Sequence, residues 1–458
     1  MGHPAQADLE GAMAEIVGAD DVSTRQDELV GYSRDAFPGD GAIPDIVVRT
    51  GSAEEIREVL VWANDRGVPV IPRAMGTSLT GAVIPTEGGI VMDVRPMDEI
   101  VELNPDDMLA RVQPGTRWQV LNDAAAEHDL HLPVDPGSSS VVTVCGMIAT
   151  HASGMRAIKY GTMGDHTLDL DVVLADGTTL RTGSQSLKNS AGYDLTSLFV
   201  GSEGTLGVVT EATVKLTPLP PQARTFMAIL DDLETAGEII VDVKRSSFDI
   251  SGMELLDRTL LSALQASGFD VPEAEVMILF ELQGTRGFEE AYDELTTMVE
   301  EGGAEIRESD DPDELWEARR SAYPALVRQK THPITGDLGV PISKLPDALR
   351  RIREVKADVG LEISVLGHAG DGNLHSLILA DEDELELAHE ANDRICRAAV
   401  DLGGTVTAEH GVGIEKTHLL EYQYGEGGMA TMRRIKQALD PNNILNPGKI
   451  APPEGSDE

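Results

Sequence analysis

The chain has 458 residues, 41% of them hydrophobic, and 79 acidic against 36 basic side chains give a formal net charge of −43. That length exceeds one ordinary core, so two or three domains are expected, and no apolar run reaches the length of a membrane span. Charge of this sign opposes nucleic acid and anionic lipid, and two cysteines, Cys145 and Cys396, exclude a disulfide framework and a thiolate metal cluster.

The acid is spread through helical stretches such as "SAEEIREV" and "DEDELELAHE" instead of forming a tail. Molar salt shortens the screening length to about 3 Å and relieves such self-repulsion, so a salt-rich interior, as in halophiles, is the reading. An acidic protein with a basic partner is the alternative. The N-terminus lacks a basic region ahead of a long apolar stretch, and Gln6 stands where a myristoylation signal needs Ser or Thr. The expected location is the cytoplasm, either free or peripheral at the inner face of the membrane.

Residues 51–66 read as a helix, with Ser52 and Glu55 as a capping box and Ile56, Val59, Leu60 and Ala63 as one apolar stripe. "GVPVIPR" follows as a short buried strand and runs into "AMGTSLTGA". "GIVMDV" (89–94) and "LARVQPG" (109–115) are further strands, and 168–183 is a hairpin turning at Asp176-Gly177. "GVVTEATVKLTPLP" adds one more strand, and the proline-rich 218–221 marks a domain boundary.

Beyond that point strands and helices alternate. "ARTFMAILDD" precedes a helix near 234–246, "EVMILFEL" one at 287–301, and "GDLGVPIS" one at 346–359. "AEIRESD" and "EISVLGHAGDGNLHSLILA" follow the second and third of these, a spacing that predicts two-layer α+β units. "LWEARRSAY" (315–323) places Arg319 and Arg320 on a helix. The chain ends in a helix stopped at Asp440-Pro441 and a non-helical tail.

Four tracts rich in glycine and other small residues lie in the first half: 72–82, 134–154, 160–166 and 189–216. Small residues let backbone N–H groups approach a phosphate closely, yet the spacings of a Walker A loop or a GxGxxG turn are absent. Each tract alone reads equally well as a strand-to-loop turn. Together they point to a long ligand held against backbone, such as a dinucleotide.

In "GHAGDGNLH", His368 and His375 flank an Asp-Gly-Asn turn, which alone reads as structural. "TAEHGVG" (407–413) adds the carboxylate of Glu409 and the imidazole of His410. Two histidines and a carboxylate with open positions suit a catalytic divalent metal; zinc, manganese and iron all accept this set.

The order PR-x-x-GTSLTG, DPGSS, CGMIAT…SG and GYDL…GSEGTLG resembles the FAD-binding domain of the vanillyl-alcohol oxidase / p-cresol methylhydroxylase superfamily. GHAGDGNLH, AEHGVG and LDPNNILNPGK resemble the C-terminal part of its 2-hydroxy-acid dehydrogenase branch, nearest the cytochrome-type D-lactate dehydrogenase and glycolate oxidase FAD-subunit group. The resemblance implies an α+β fold. A two-subdomain FAD-binding domain (39–218) follows an N-terminal helical segment (1–38). A substrate or cap domain with a ferredoxin-like sheet and the metal site (219–425) comes next, and a C-terminal segment (426–458) returns to the flavin.

By the same resemblance the flavin contacts are Pro72, Arg73, Ala74, Met75, Gly76, Thr77, Ser78, Leu79 and Gly81 in the first loop. Pro136, Ser139, Thr143, Gly146, Ala149, Ser153 and Gly154 follow in the second tract, then Glu203, Gly204, Gly207, Val208 and Asn446. Ala74, Cys145 and His151 depart from the family pattern, and the first loop has no histidine, which implies non-covalent FAD. His368, His375 and Glu409 match the family's metal ligands, His410 its general base, and Arg319 the arginine that grips the substrate carboxylate. The implied reaction is oxidation of a short D-2-hydroxy acid, D-lactate first, with reduction of FAD. Thr335 to Leu338 offer no base for a second carboxylate and Leu377 stands where the dicarboxylate branch has Asn, so glycolate and D-2-hydroxyglutarate come second. Electrons pass to a separate carrier, a quinone or electron-transfer flavoprotein, and the oligomer considered is a homodimer. A metallohydrolase is the alternative of another class, but it leaves the glycine tracts without a task; a cell-wall flavin reductase leaves the histidine motifs without one. A non-catalytic flavin protein needs neither Arg319 nor His410.

Overall fold

The computed structural model describes residues 6–39, 41–309, 311–328 and 332–453. Helix Ala53–Asn64 starts at Ser52, whose side chain accepts the Glu55 N–H at 3.2 Å. The Glu55 carboxylate turns to the Gly51 N–H at 2.6 Å, one residue short of closing the expected box. The stripe Ile56, Val59, Leu60 and Ala63 is fully buried against a four-stranded sheet. That sheet runs in the order Val22–Ser23, Ile46–Arg49, Ile90–Asp93, Val70–Arg73, parallel across its last three strands. The N-terminal segment is therefore more than helical, because Val22–Ser23 forms the antiparallel edge of this sheet.

A second sheet is antiparallel throughout, in the order Ile100–Asn104, Leu109–Val112, Val208–Lys215, Thr167–Val173, Thr179–Arg181. Its last two strands are the expected hairpin, with Gly177 at φ 81° in the turn.

The largest sheet is antiparallel and opens with Gln222–Leu230. The strand order is Glu305–Glu308, Gln222–Leu230, Val276–Gly284, Ile250–Asp257, Glu362–His368, Asn373–Ala380, His332–Thr335. Strand Ile250–Asp257 and helix Arg258–Ala266 lie outside the sequence expectations, because all eight strand residues are buried and show no alternation. The expected two layers are three. Helices Leu233–Arg245, Phe288–Glu301, Leu345–Val359 and Leu385–Asp401 pack on one face around Phe226, Ile278 and Phe280. Helices Arg258–Ala266 and Pro312–Val327 cover the other, around Met227, Leu256 and Leu279.

The helical segment Leu420–Leu439, interrupted by a kink at Gly425 (φ 67°), ends at Asp440, and the tail behind it returns to the first sheet. Val70 donates its N–H to Ile444 at 2.7 Å, and Ile444 and Leu445 are buried in the core of that sheet.

Candidate active site

One cavity of about 760 Å³ opens between the three sheets, and most of the motif residues line it. Pro72 to Leu79 form one wall; Pro136, Thr143, Gly146 and Ala149 a second; Glu203, Gly204, Gly207 and Val208 a third. The backbone explains the small residues. Gly76 sits at φ 68°, where a Cβ would lie 2.2 Å from the Arg73 guanidinium. Ala74 lines the cavity and is absent from the left-handed positions, so alanine is tolerated there. Cys145 also faces it, and burial pushes its thiol up to about 12, which makes it inert. A continuous groove walled by backbone at a strand end fits a dinucleotide such as FAD.

Five of the expected flavin contacts do not line the cavity, each for a visible reason. A Cβ on Gly81 would meet Ile414, and one on Gly154 would meet Asp135 O at 2.2 Å, so both serve chain packing. Ser139 closes a turn onto Pro136 O, leaving Gly137 and Ser138 on the wall. Asn446 donates to Ala82 O at 2.8 Å and Glu203 O at 2.7 Å, tying two cavity loops from behind. Ser153 donates to Glu409 Oε2 at 2.6 Å and so belongs with the His368–His375–Glu409 cluster. His151 turns away as a left-handed helix cap, its ring bonded to Thr162 Oγ1.

At the far end the cavity meets the large sheet. Strands Glu362–His368 and Asn373–Ala380 form a hairpin joined by the short helix Ala369–Asp371. Gly372 (φ 85°) abuts Val340 O, where a Cβ would lie at 2.1 Å, and this tight turn brings both histidines to one end of the hairpin. His368 Nε2 lies 3.0 Å and His375 Nε2 3.3 Å from Glu409 Oε1, with the rings nearly perpendicular at 88°. His410 stacks on His375 at 4.8 Å and 7°.

The electrostatics favour a cation at this point. Burial opposes charge on His368, but Glu254 and Glu409 outweigh it and hold the imidazole well above its ordinary pKa. Burial likewise opposes charge on Glu409, and the facing histidines hold it well below the carboxylate range. Three ligand atoms, two imidazole nitrogens and a carboxylate oxygen, lie within 4.8 Å of one another and supply the donors that a divalent cation takes. The set fits a metal. His410 behaves differently: burial, against Asp337, pushes it down to about 4, so the ring is neutral at physiological pH.

Arg319 lines the cavity and is nearly buried; its Nε donates to Glu254 Oε2 at 2.6 Å. Arg320 lines it too, but pairs with Asp135 at 3.3 Å. Two buried acids that sequence reasoning left without a role organise the site. Glu254 accepts from His368 Nδ1 at 2.8 Å. Asp337 lies 3.5 Å from His375 Nδ1 and accepts the backbone N–H groups of Ala408, Glu409 and His410. Their signal was available as a carboxylate set inside an apolar stretch, Glu254 within "SGMELL" and Asp337 within "GDLGV".

Comparison with known proteins identifies the family of the chain. Residues 219–450 match the C-terminal domain of FAD linked oxidases, and residues 44–183 match an FAD binding domain. The chain is 36% identical over 453 residues to glycolate oxidase subunit GlcD of Bacillus subtilis, covering 97% of this chain and 96% of that one. It is 36% identical over 412 residues to D-lactate dehydrogenase of Archaeoglobus fulgidus, covering 88% and 91%. The solved structure of p-cresol methylhydroxylase with substrate bound superposes with a TM-score of 0.81 at 20% identity, over 100% of this chain and 99% of that one, a likeness of fold.

Proposed function

This chain belongs to the FAD-linked oxidases, and we propose that it oxidises a short D-2-hydroxy acid, D-lactate first, to the 2-oxo acid. The observation that carries this reading is a single cavity where Arg319, His410 and the His368–His375–Glu409 cluster meet the glycine-rich walls. FAD, held without a covalent bond between the walls formed by residues 72–79, 136–149 and 203–208, would supply two-electron acceptance. A divalent cation held by His368, His375 and Glu409 would supply Lewis-acid polarisation of the hydroxyl.

The chain's own residues do the rest. Arg319, gripped at Nε by Glu254, binds the substrate carboxylate through its terminal nitrogens. His410 takes the hydroxyl proton at Nε2, the nitrogen 3.9 Å from Glu409, while its Nδ1 is buried. Ser153 and Asp337 hold Glu409 from its side chain and its backbone. Apolar Leu366 and Leu377 line the same cavity, so a short monocarboxylate ranks ahead of D-2-hydroxyglutarate. Glycolate is the second reading, favoured by the likeness to a glycolate oxidase subunit.

Two cysteines cannot ligate an iron–sulfur cluster, so the electrons leave for a separate carrier, a quinone or electron-transfer flavoprotein. None of the described helices is long and apolar enough to cross a membrane. The test is a spectrum of protein purified in high salt, then anaerobic mixing with D-lactate, L-lactate, glycolate and D-2-hydroxyglutarate. We expect a yellow protein bleached fastest by D-lactate. A colourless protein that cannot be loaded with FAD, or bleaching by L-lactate alone, refutes the reading.

A further inference from the structure

Glu254 is fully buried in the middle of strand Ile250–Asp257, and its backbone register sets it opposite His368 on the neighbouring strand. Its two carboxylate oxygens have separate tasks. Oε1 accepts from His368 Nδ1 at 2.8 Å, and Oε2 accepts from Arg319 Nε at 2.6 Å. On the opposite side of the same imidazole, Nε2 faces Glu409 Oε1 at 3.0 Å. The proton on Nδ1 is thereby fixed by Glu254, so Nε2 is the nitrogen that would exchange its proton for a cation.

We propose that Glu254 is a positioning residue that joins the metal ligand His368 to the substrate-binding Arg319 through one carboxylate. The proposal rests on the metal-site reading given above. Two N–H donors converge on Glu254, and only a group with an acceptor at both ends satisfies them. A glutamine at this position has one acceptor oxygen. The charged guanidinium takes that oxygen in preference, so the amide NH₂ faces His368 Nδ1. The imidazole then moves its proton to Nε2, the nitrogen needed by the cation. The loss of cation affinity therefore follows from hydrogen-bond bookkeeping at a site that the substitution does not touch. Placement at the centre of a seven-strand path makes the Glu254–His368 side of the bracket rigid, since those two strands cannot shift without breaking ladder bonds, while Arg319 reaches it from helix Pro312–Val327.

The experiment titrates Mn(II) into FAD-loaded wild type, Glu254→Gln, Glu254→Asp and His368→Ala, by electron paramagnetic resonance, and measures KM for D-lactate alongside. Glu254→Gln is expected to keep FAD and to bind Mn(II) about 10–100-fold more weakly, with KM also raised. Glu254→Asp keeps both acceptors on a shorter arm and is expected to fall between it and wild type; it serves as the reading if the Gln variant does not fold. Mn(II) affinity within twofold of wild type in the folded Gln variant, or in the Asp variant where that one is read, overturns the proposal. A His368→Ala protein that binds Mn(II) like wild type overturns the metal site itself, a separate outcome.

Discussion

Asp337 Oδ2 accepts the backbone N–H of His410 at 2.9 Å, inside a nest that also includes the N–H groups of Ala408 and Glu409 and the Thr407 hydroxyl. One buried carboxylate thus shapes the loop that presents both Glu409 and His410, the proposed metal ligand and the proposed base. Its charge is balanced by Lys416, equally buried, at 3.9 Å. Asp337→Asn leaves that lysine uncompensated, so we expect a loss of roughly 3–5 kcal/mol in stability. Chemical denaturation measures it; a loss under 1 kcal/mol shows that the ion pair is dispensable.

His410→Ala is expected to retain FAD and slow anaerobic bleaching by D-lactate about 10²–10⁴-fold, the usual worth of a general base. Burial lowers the His410 pKa to about 4 from 6.5. The unprotonated base therefore persists as pH falls, and a bound cation pushes in the same direction. The acid limb of kcat/KM should lie well below pH 6.5. A limb at 6.5 that disappears in His410→Ala contradicts the buried environment.

Glu203 couples two cavity loops, accepting the N–H groups of Val412 at 2.5 Å and Gly413 at 2.9 Å. Burial raises its pKa from 4.5 to about 7. A raised folded pKa contributes stability in full below pH 4.5 and loses it as pH climbs through 7. One proton corresponds to a slope of at most about 1.4 kcal/mol per pH unit. Wild type minus Glu203→Gln stability should therefore decline between pH 4.5 and 7, and a flat difference would sink the assignment.

A net charge of −43 predicts a strong salt response. Thermal midpoints should climb from 0.1 M toward molar KCl, as the screening length contracts from about 10 Å to about 3 Å. Midpoints unchanged across that range remove the case for adaptation to a salty interior.

Motif residues were legible where chemistry and local backbone coincide. His368, His375 and Glu409 stood out by type and Arg319 by family resemblance, and the structure brings them to one cavity. Ser153 and Asn446 show the limit. Both sit in the right tracts, yet one reaches Glu409 and the other two backbone carbonyls, because neighbouring residues on a tight loop point in opposite directions. Helix Ala53–Asn64 was readable from its cap and stripe, whereas strand Ile250–Asp257 was not, since burial on both faces removes the alternation that marks a strand.

By itself the sequence determined the small-residue tracts, the ligand types, the charge and the alternation of strands and helices, all of which depend on neighbours a few positions apart. Only the tertiary structure decided that Glu254 and Asp337 stand behind the two histidines, and that helices cover both faces of the large sheet. Glu254 and His368 are 114 positions apart and meet through strand register. A contact of that kind is set by which strands pair, and local composition carries no record of it.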